Sequence, residues 1–197
     1  MDNKSLWISL GISQLIYVLL LPVWLRLLAY LHPIVLVVIW MCLTSLTMLV
    51  VFYVRRSTIN ISTFIFKILI TLYSIGLLVL LFFRPTNQEY SQINYIPFKT
   101  IRGFLGGDGN FLIAFYNLTA NILLFVPYGV IALMFSRHRS WWKFVLIPAL
   151  SILFIEIMQH LTKRGSMDID DLILNLLGVW IGYGLSFVIQ KVVKVKN

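Results

Sequence analysis

Three carboxylates stand directly before an apolar run in the stretch SMDIDDLILNLLG, residues 166–178. Asp168, Asp171 and Asn175 are three and four residues apart, which places them on one face of a helix, whereas Asp170 falls off that face. Carboxylates in such an arrangement suit general acid–base chemistry or cation binding. Helix capping is the structural alternative, because acidic side chains near a helix N-terminus accept hydrogen bonds from its free N–H groups. Capping accounts for one or two of the three carboxylates.

The same face continues along the helix with the small residues Gly178, Gly182 and Ser186. Gly178 and Gly182 form a GxxxG pair, which is typical of two membrane helices that pack closely together. We therefore predict a structural role for both glycines.

A second group of polar residues ends the preceding apolar stretch, SILFIEIMQHLTKRG. Glu156, Gln159 and His160 fall at i, i+3 and i+4, and therefore share one helix face. An ionisable residue inside a membrane span is a functional candidate by default. A structural ion pair between Glu156 and Arg164 is the alternative. Glu156 with His160 forms at most half of a metal site, and no second helix with a histidine completes it, so we predict no bound metal or other cofactor.

A third apolar stretch, FLIAFYNLTANILLFVPYGV, contributes Asn117 and Asn121 on one face, followed by Pro127 and Gly129. The two amides are candidate ligands, but amides also join neighbouring membrane helices by hydrogen bonds. Pro127 frees a backbone carbonyl and favours a kink.

These residues belong to a chain whose composition excludes a single aqueous core. Of its 197 residues, 60% are hydrophobic and 12% are charged, against about 25% charged in soluble domains. The net charge of +9 fits loops on anionic lipid, and no nucleic-acid motif is present. The lone Cys42 lies in an apolar stretch, so no intrachain disulfide is possible.

The composition and the apolar stretches together predict an all-α, polytopic transmembrane bundle of about six spans. Each stretch approaches the roughly 20 apolar residues that a crossing requires: 6–28, 34–54, 64–83, 111–135, 143–161 and 171–190. The first is expected to be a retained anchor, since it is too long for a signal peptide. The short YLHP link predicts that the first two spans form a helical hairpin. We treat residues 1–197 as one membrane domain.

The positive-inside rule predicts that both termini are cytoplasmic. One side receives ten basic residues, namely Lys4, Arg55, Arg56, Lys67, Arg137, Arg139, Lys143, Lys191, Lys194 and Lys196. The other receives six, namely Arg26, Arg84, Lys99, Arg102, Lys163 and Arg164. Glu89, Asp108 and the three aspartates then face outward, as does the end of the helix that carries Glu156. The apolar loop 84–110 is expected to lie on the outer membrane face, with its GGDGN sequence as a turn.

Four motifs resemble those of the VanZ-like family. They are INYIPF, NLTANILLFVPYGV, EIMQ and RGSMDIDDLILNLLGVWIGYGL, which together cover residues 94–184, whereas residues 1–83 carry no such motif. The resemblance implies functional positions at Asn94, Pro97, Phe98, Asn121, Pro127, Gly129, Glu156, Gln159, Arg164, Asp168, Asp171, Asn175 and Gly178. It also implies low-level resistance to the glycopeptide teicoplanin, with which the family's founding member is associated.

Three functions remain open at this point. The first is a multi-pass protein of a Gram-positive plasma membrane that lowers susceptibility to teicoplanin-type antibiotics through an outward-facing polar pocket. Its partners would be the bilayer and a lipid, a lipid-linked cell-wall precursor or the glycopeptide. The second is an enzyme acting on a lipid-linked phosphate through Glu156 and Asp168 or Asp171, with Lys163 and Arg164 on the phosphate. The third is a transporter that uses Glu156 as a proton carrier. The sequence leaves the oligomeric state open.

Overall fold

The computed structural model describes residues 2–27, 34–82, 93–106, 111–136, 140–165 and 167–196. It consists of eight helices and four short strands within these ranges. In chain order they are α1 (Asn3–Leu19), α2 (Leu21–Leu27), α3 (Ile34–Val54), β1 (Ile59–Ser62), α4 (Thr63–Phe82), β2 (Ile93–Asn94), α5 (Lys99–Leu105), α6 (Phe111–Phe135), α7 (Trp141–Leu161), β3 (Met167–Asp168), α8 (Ile169–Val192) and β4 (Val193–Lys196).

The predominantly helical fold that the sequence predicts is confirmed, and four short strands accompany the helices. β1 pairs in parallel with β4, and β2 pairs in parallel with β3. All four strands have two to four residues. Strands this short have no periodicity that a sequence pattern can detect, and their pairing joins segments far apart in the chain.

Four of the described helices are long and apolar enough to cross a membrane: Thr63–Phe82, Asn117–Phe135, Trp141–Leu161 and Ile169–Val192. The count of six spans stays a prediction. The predicted first span is divided into α1 and α2 at Leu20. The physical reason is Pro22, which has no N–H to bond to the carbonyl of Val18 and therefore interrupts the helical ladder.

The chain divides into two compact units, one made of Met1–Phe66 with Val188–Asn197 and the other of Lys67–Phe187. This boundary falls inside α4 and α8 rather than between residues 83 and 94. The single membrane domain expected from the sequence stays a prediction.

In the first unit, α1 and α3 form an antiparallel pair. Trp40 Nε1 donates to Gln14 Oε1 at 2.9 Å, and Tyr17 Oη donates to the Leu36 carbonyl at 3.2 Å. At the other end of the pair, Ser57 Oγ donates to Asp2 Oδ2 at 2.8 Å. The two helices thus have the arrangement of the expected hairpin, although the YLHP link itself lies outside the described residues.

In the second unit, an apolar core joins four helices. Its buried members are Leu77, Leu81, Phe125, Ile152 and Val179, from α4, α6, α7 and α8. Hydrogen bonds at the edge of this core connect the same helices, from Tyr73 Oη to the Leu124 carbonyl at 2.7 Å and from Tyr183 Oη to the Phe144 carbonyl at 2.9 Å. This bundle carries the predicted site residues.

α6 and α8 approach closely at their glycines. A Cβ added to Gly178 would lie 2.0 Å from the Ile122 carbonyl oxygen, and one added to Gly182 would lie 2.2 Å from that of Val126. A Cβ added to Gly129 would lie 2.0 Å from the Val179 carbonyl oxygen. The backbones therefore touch because these positions have no side chain, which is the packing that GxxxG predicts.

Parts of the sequence analysis concern residues outside the described ranges. These are Arg84, Glu89, Arg137, Arg139 and the GGDGN turn from residue 107 onward, including Asp108.

Candidate functional site

The site lies where α8 begins, and Asp168 is the residue that starts this helix. Its Oδ1 accepts a hydrogen bond from the backbone N–H of Asp170 at 2.9 Å. This is N-terminal capping, the structural role that the sequence allowed for part of the acidic group.

Asp168 also binds the segment that contains β2. Its Oδ1 accepts from Asn94 Nδ2 at 2.9 Å, and its Oδ2 accepts from Thr100 Oγ1 at 2.5 Å. The β2–β3 pairing brings these residues together, because Asn94 lies opposite Asp168 in the register. Asp168 is buried, with 8% of its surface exposed. Both of its oxygens therefore serve to hold the neighbouring segment in place.

Asp170 organises the start of α5, a role that sequence reasoning missed. Its Oδ1 accepts from the Phe98 N–H at 2.5 Å, and its Oδ2 accepts from the N–H groups of Thr100 and Ile101 at 2.8 and 3.1 Å. Asp170 is fully buried. The sequence contained one signal for this role, because Asp170 does not share the helix face of Asp168 and Asp171. Its side chain must therefore contact a different neighbour from the one that Asp171 contacts.

Asp171 faces α6. Asn121 Nδ2 donates to Asp171 Oδ1 at 2.6 Å. Asn117, four residues earlier on α6, is exposed. Of the two predicted amides of α6, the structure therefore brings only Asn121 to the carboxylates.

The polar residues of α7 lie near the end of that helix. Glu156 and Gln159 are buried, with 4% and 7% of their surfaces exposed. Gln159 Nε2 donates to the Leu81 carbonyl at 3.0 Å, which connects α7 to the end of α4. His160 is half-buried, and its buried Nδ1 has no hydrogen-bond partner among the described residues. Gln159 thus connects two helices of the bundle, and Glu156 is a buried carboxyl group one turn before it on the same helix.

The turn that follows α7 positions Arg164. Lys163 has a φ of 55°, and the N–H of Arg164 donates to the Gln159 carbonyl at 2.8 Å. This left-handed residue after the helix is a common way to end it. Arg164 is half-buried at this turn, at the same end of the bundle as Asp168.

Asn175 lies one turn deeper in α8 than Asp171, as predicted. It is buried, with 4% of its surface exposed, and its Oδ1 has no hydrogen-bond partner among the described residues. An unbonded buried oxygen is unfavourable. This atom therefore has the capacity to accept a hydrogen bond from a water or a ligand.

A small cavity joins the two groups of acids. It has a volume of about 40 Å³ and is lined by Asn94, Tyr95, Leu153, Glu156, Met167, Asp168, Ile169 and Leu172. A cavity of about 10–15 Å³ in this measure can hold one water, so this one has room for a few waters but not for a lipid headgroup. Glu156 of α7 and Asp168 at the start of α8 are among the residues that line it.

Three further predicted positions are Pro97, Phe98 and Pro127. Phe98 and Pro97 lie between β2 and α5 and are exposed, and Phe98 has a φ of 64°. Pro127 lies inside α6, which continues past it to Phe135. Among the described residues, no group of three or more His, Cys, Asp or Glu side chains is placed to hold a metal ion.

Comparison with known proteins gives the following matches. Residues 68–190 match the protein family described as VanZ/LLP1. The chain is similar to Protein VanZ of Enterococcus faecium, with 30% identity over 122 residues that cover 60% of this chain and 73% of the relative. No solved structure matches the chain. The matched region includes every site residue predicted from the sequence.

Proposed function

The chain belongs to the VanZ/LLP1 family, and from this membership we propose that it lowers the susceptibility of a Gram-positive bacterium to teicoplanin-type lipoglycopeptides. It does so as a multi-pass protein of the plasma membrane. The observation that carries the proposal is the match over residues 68–190, which covers the four-helix core and the polar residues at one end of it.

The proposed topology has six spans and cytoplasmic termini. Two contacts within the first unit support the prediction that the N-terminus, the segment after α3 and the C-terminus lie on the same side of the membrane. Asp2, at the start of α1, meets Ser57 beyond the end of α3, and β1 pairs with β4 at the C-terminus. The N-terminus, the segment after α3 and the C-terminal strand therefore lie together, as the distribution of Lys and Arg requires.

With that topology, the start of α8 and the end of α7 face outward. Glu156, Asp168, Asp171, Asn121 and Asn175 then form a polar site at the outer leaflet. The cavity beside Glu156 is its enclosed part, and the unbonded Oδ1 of Asn175 adds an acceptor. A lipid-tailed glycopeptide must anchor in this leaflet, so a protein that changes the neighbouring lipids or lipid-linked precursors reduces its binding.

Antibiotic susceptibility measures this function directly. Expression in a susceptible Gram-positive host should raise the inhibitory concentration of teicoplanin, and deletion from the native host should lower it. A glycopeptide without a lipid tail is the matched control, and its inhibitory concentration should change less. Unchanged teicoplanin inhibition in both strains would refute the proposal.

The second candidate is an enzyme acting on a lipid-linked phosphate. The observation that favours it is that Glu156 and Asp168 line one cavity with room for water, an arrangement suited to general acid–base catalysis. In this scheme Glu156 is the proton-transferring group, and Asp168, whose two oxygens accept hydrogen bonds from Asn94 and Thr100, is the positioning group. Purified protein in lipid vesicles would be assayed for phosphate release from polyprenyl phosphates, with Glu156→Gln as the comparison. Equal turnover by both proteins would exclude it.

A further inference from the structure

The segment from β2 to α5 exposes apolar side chains although it lies outside the helices that could span a membrane. The exposed fractions are 40% for Ile93, 66% for Tyr95, 62% for Ile96 and 48% for Phe98. Contiguous exposed apolar residues mark a surface that binds something. We call residues 93–102 the interfacial segment.

The interfacial segment is held in one conformation by buried carboxylates. Asp170 accepts hydrogen bonds from three of its backbone N–H groups, and Asp168 accepts from Asn94 and Thr100. These bonds surround Phe98, whose φ of 64° is uncommon for a bulky residue. The apolar side chains are therefore presented in a fixed arrangement.

The depth of the segment relative to the membrane follows from the same hydrogen bonds. Asp168 and Asp170 lie at the first turn of α8, which is one of the helices able to cross a membrane. A segment bonded to the first turn of a span lies where that span emerges, at the boundary between acyl chains and headgroups. Aromatic side chains are enriched at this boundary.

The segment also has positive charge. Lys99 and Arg102 are exposed and three residues apart, so they share one face of α5. The carboxylates that touch the segment, Asp168 and Asp170, are buried and engaged in hydrogen bonds. The exposed surface of the segment therefore combines apolar and aromatic groups with two cations, which is the chemistry of a membrane surface carrying anionic phosphates.

We propose that the interfacial segment inserts Tyr95, Ile96 and Phe98 into the bilayer interface and binds the phosphates of anionic phospholipids through Lys99 and Arg102. This does not depend on which side of the membrane the segment faces, nor on any effect on antibiotics. It assigns a lipid-binding role to a part of the chain that no catalytic proposal uses.

Depth-dependent fluorescence quenching tests the insertion. In a Cys42→Ser background, Ile96→Cys would carry a polarity-sensitive fluorophore, and the protein would be placed in phosphatidylcholine vesicles with a spin label near the top of the acyl chains. Asn60→Cys, an exposed polar position of β1 outside the helices, is the control. The label at residue 96 should be blue-shifted and more strongly quenched than the label at residue 60. Equal quenching at both positions would overturn the insertion, and would be the result if a protein rather than lipid covered the segment.

The phosphate contact is tested separately with spin-labelled phosphatidylglycerol. Quenching at residue 96 should be stronger with this lipid than with spin-labelled phosphatidylcholine, reflecting a local enrichment of roughly two- to fivefold. The double variant Lys99→Gln, Arg102→Gln should abolish the preference and leave the phosphatidylcholine signal unchanged. The control is a second double variant, Lys67→Gln, Lys143→Gln. It removes two positive charges near the N-terminal ends of α4 and α7, far from the interfacial segment, and should preserve the preference. Equal quenching by the two lipids in the labelled protein that keeps Lys99 and Arg102 would overturn the phosphate contact.

Discussion

Asn121 of α6 donates a hydrogen bond to Asp171 of α8, with Nδ2 and Oδ1 2.6 Å apart. Two turns further into α8, Gly178 contacts the carbonyl of Ile122, the residue next to Asn121. The close approach of the two backbones is thus what brings the amide to the carboxylate. Asp171 differs in this from Asp168 and Asp170, which hold the interfacial segment.

We expect Asn121 and Asp171 to be energetically coupled. In a double-mutant cycle with Asn121→Ala and Asp171→Ala, the coupling should be about 0.6–1.7 kcal/mol, the range measured for hydrogen bonds between membrane helices. Unfolding in detergent monitored by circular dichroism would provide the four free energies of unfolding. Asn117→Ala with Asp171→Ala is the control cycle, since Asn117 is exposed, and its coupling should be near zero. Additive effects of the first pair would contradict the bond.

Asp170→Ala should destabilise the protein more than Asp171→Ala does. The substitution leaves three N–H groups of the interfacial segment without their acceptor. A buried donor that is left without a hydrogen bond destabilises the protein by about 1–3 kcal/mol. In Asp170→Asn, which keeps the shape of the side chain, hydrogen exchange at Phe98, Thr100 and Ile101 should accelerate while that of the α6 core stays unchanged. Unaltered exchange at these three amides would show that Asp170 does not hold the segment.

Gly178→Ala and Gly182→Ala should separate α6 from α8. The added methyl groups would lie about 2 Å from backbone oxygens, and overpacking of this kind is unfavourable by about 1–3 kcal/mol or more. Gly184→Ala is the matched control on the same helix, because a Cβ there meets nothing within 4 Å. It should be neutral or slightly stabilising, since alanine favours helix by up to about 1 kcal/mol over glycine. Thermal unfolding of the three variants measures the difference, and equal effects would be inconsistent with the packing.

Asp2 should make the first unit sensitive to strongly acidic pH. Hydrogen bonds from the side-chain hydroxyls of Ser5 and Ser57 lower the pKa of Asp2 from 3.8 to about 2. Because the folded-state pKa is depressed, the stabilisation is fully present above about pH 4 and is lost as the pH falls through about 2. The difference in melting temperature between the unsubstituted protein and Asp2→Asn should therefore be constant above pH 4 and shrink below it. A difference that is independent of pH down to 2 would be evidence against these bonds.

Glu156→Gln should abolish the effect on teicoplanin susceptibility without loss of the protein from the membrane. The substitution keeps the size of a buried side chain at the cavity and removes its ability to ionise. Inhibitory concentrations should fall to those of the deletion strain, whereas Asn117→Ala should behave as the unsubstituted protein. Protein levels in the membrane fraction are the control for folding. Full activity of Glu156→Gln would remove this carboxyl from the proposed site.

Much of the architecture was predictable from local pattern. The bounds of α3 and α6 coincide with the predicted spans 34–54 and 111–135, and those of α4, α7 and α8 lie within two residues of the predicted ones. Apolar length is what sets these limits, and it is a local property. The helical spacing likewise placed Asp171 and Asn175 on one face with Gly178 and Gly182, and GxxxG predicted close packing against another helix, but only the structure identifies that helix as α6.

Only the tertiary structure decided which groups each of the three aspartates binds. All of them lie at the start of the same helix, and spacing alone separated Asp170 without indicating what it binds. Its partners are backbone N–H groups of residues 98–101, about seventy positions earlier in the chain, and they come within reach only because β2 pairs with β3. A two-residue strand has no pattern of its own, and a backbone donor has no signature in its side chain. The sequence by itself determined which segments are helices and which faces are polar, since both follow from neighbours along the chain, whereas the partner of each carboxylate depended on contacts between distant segments.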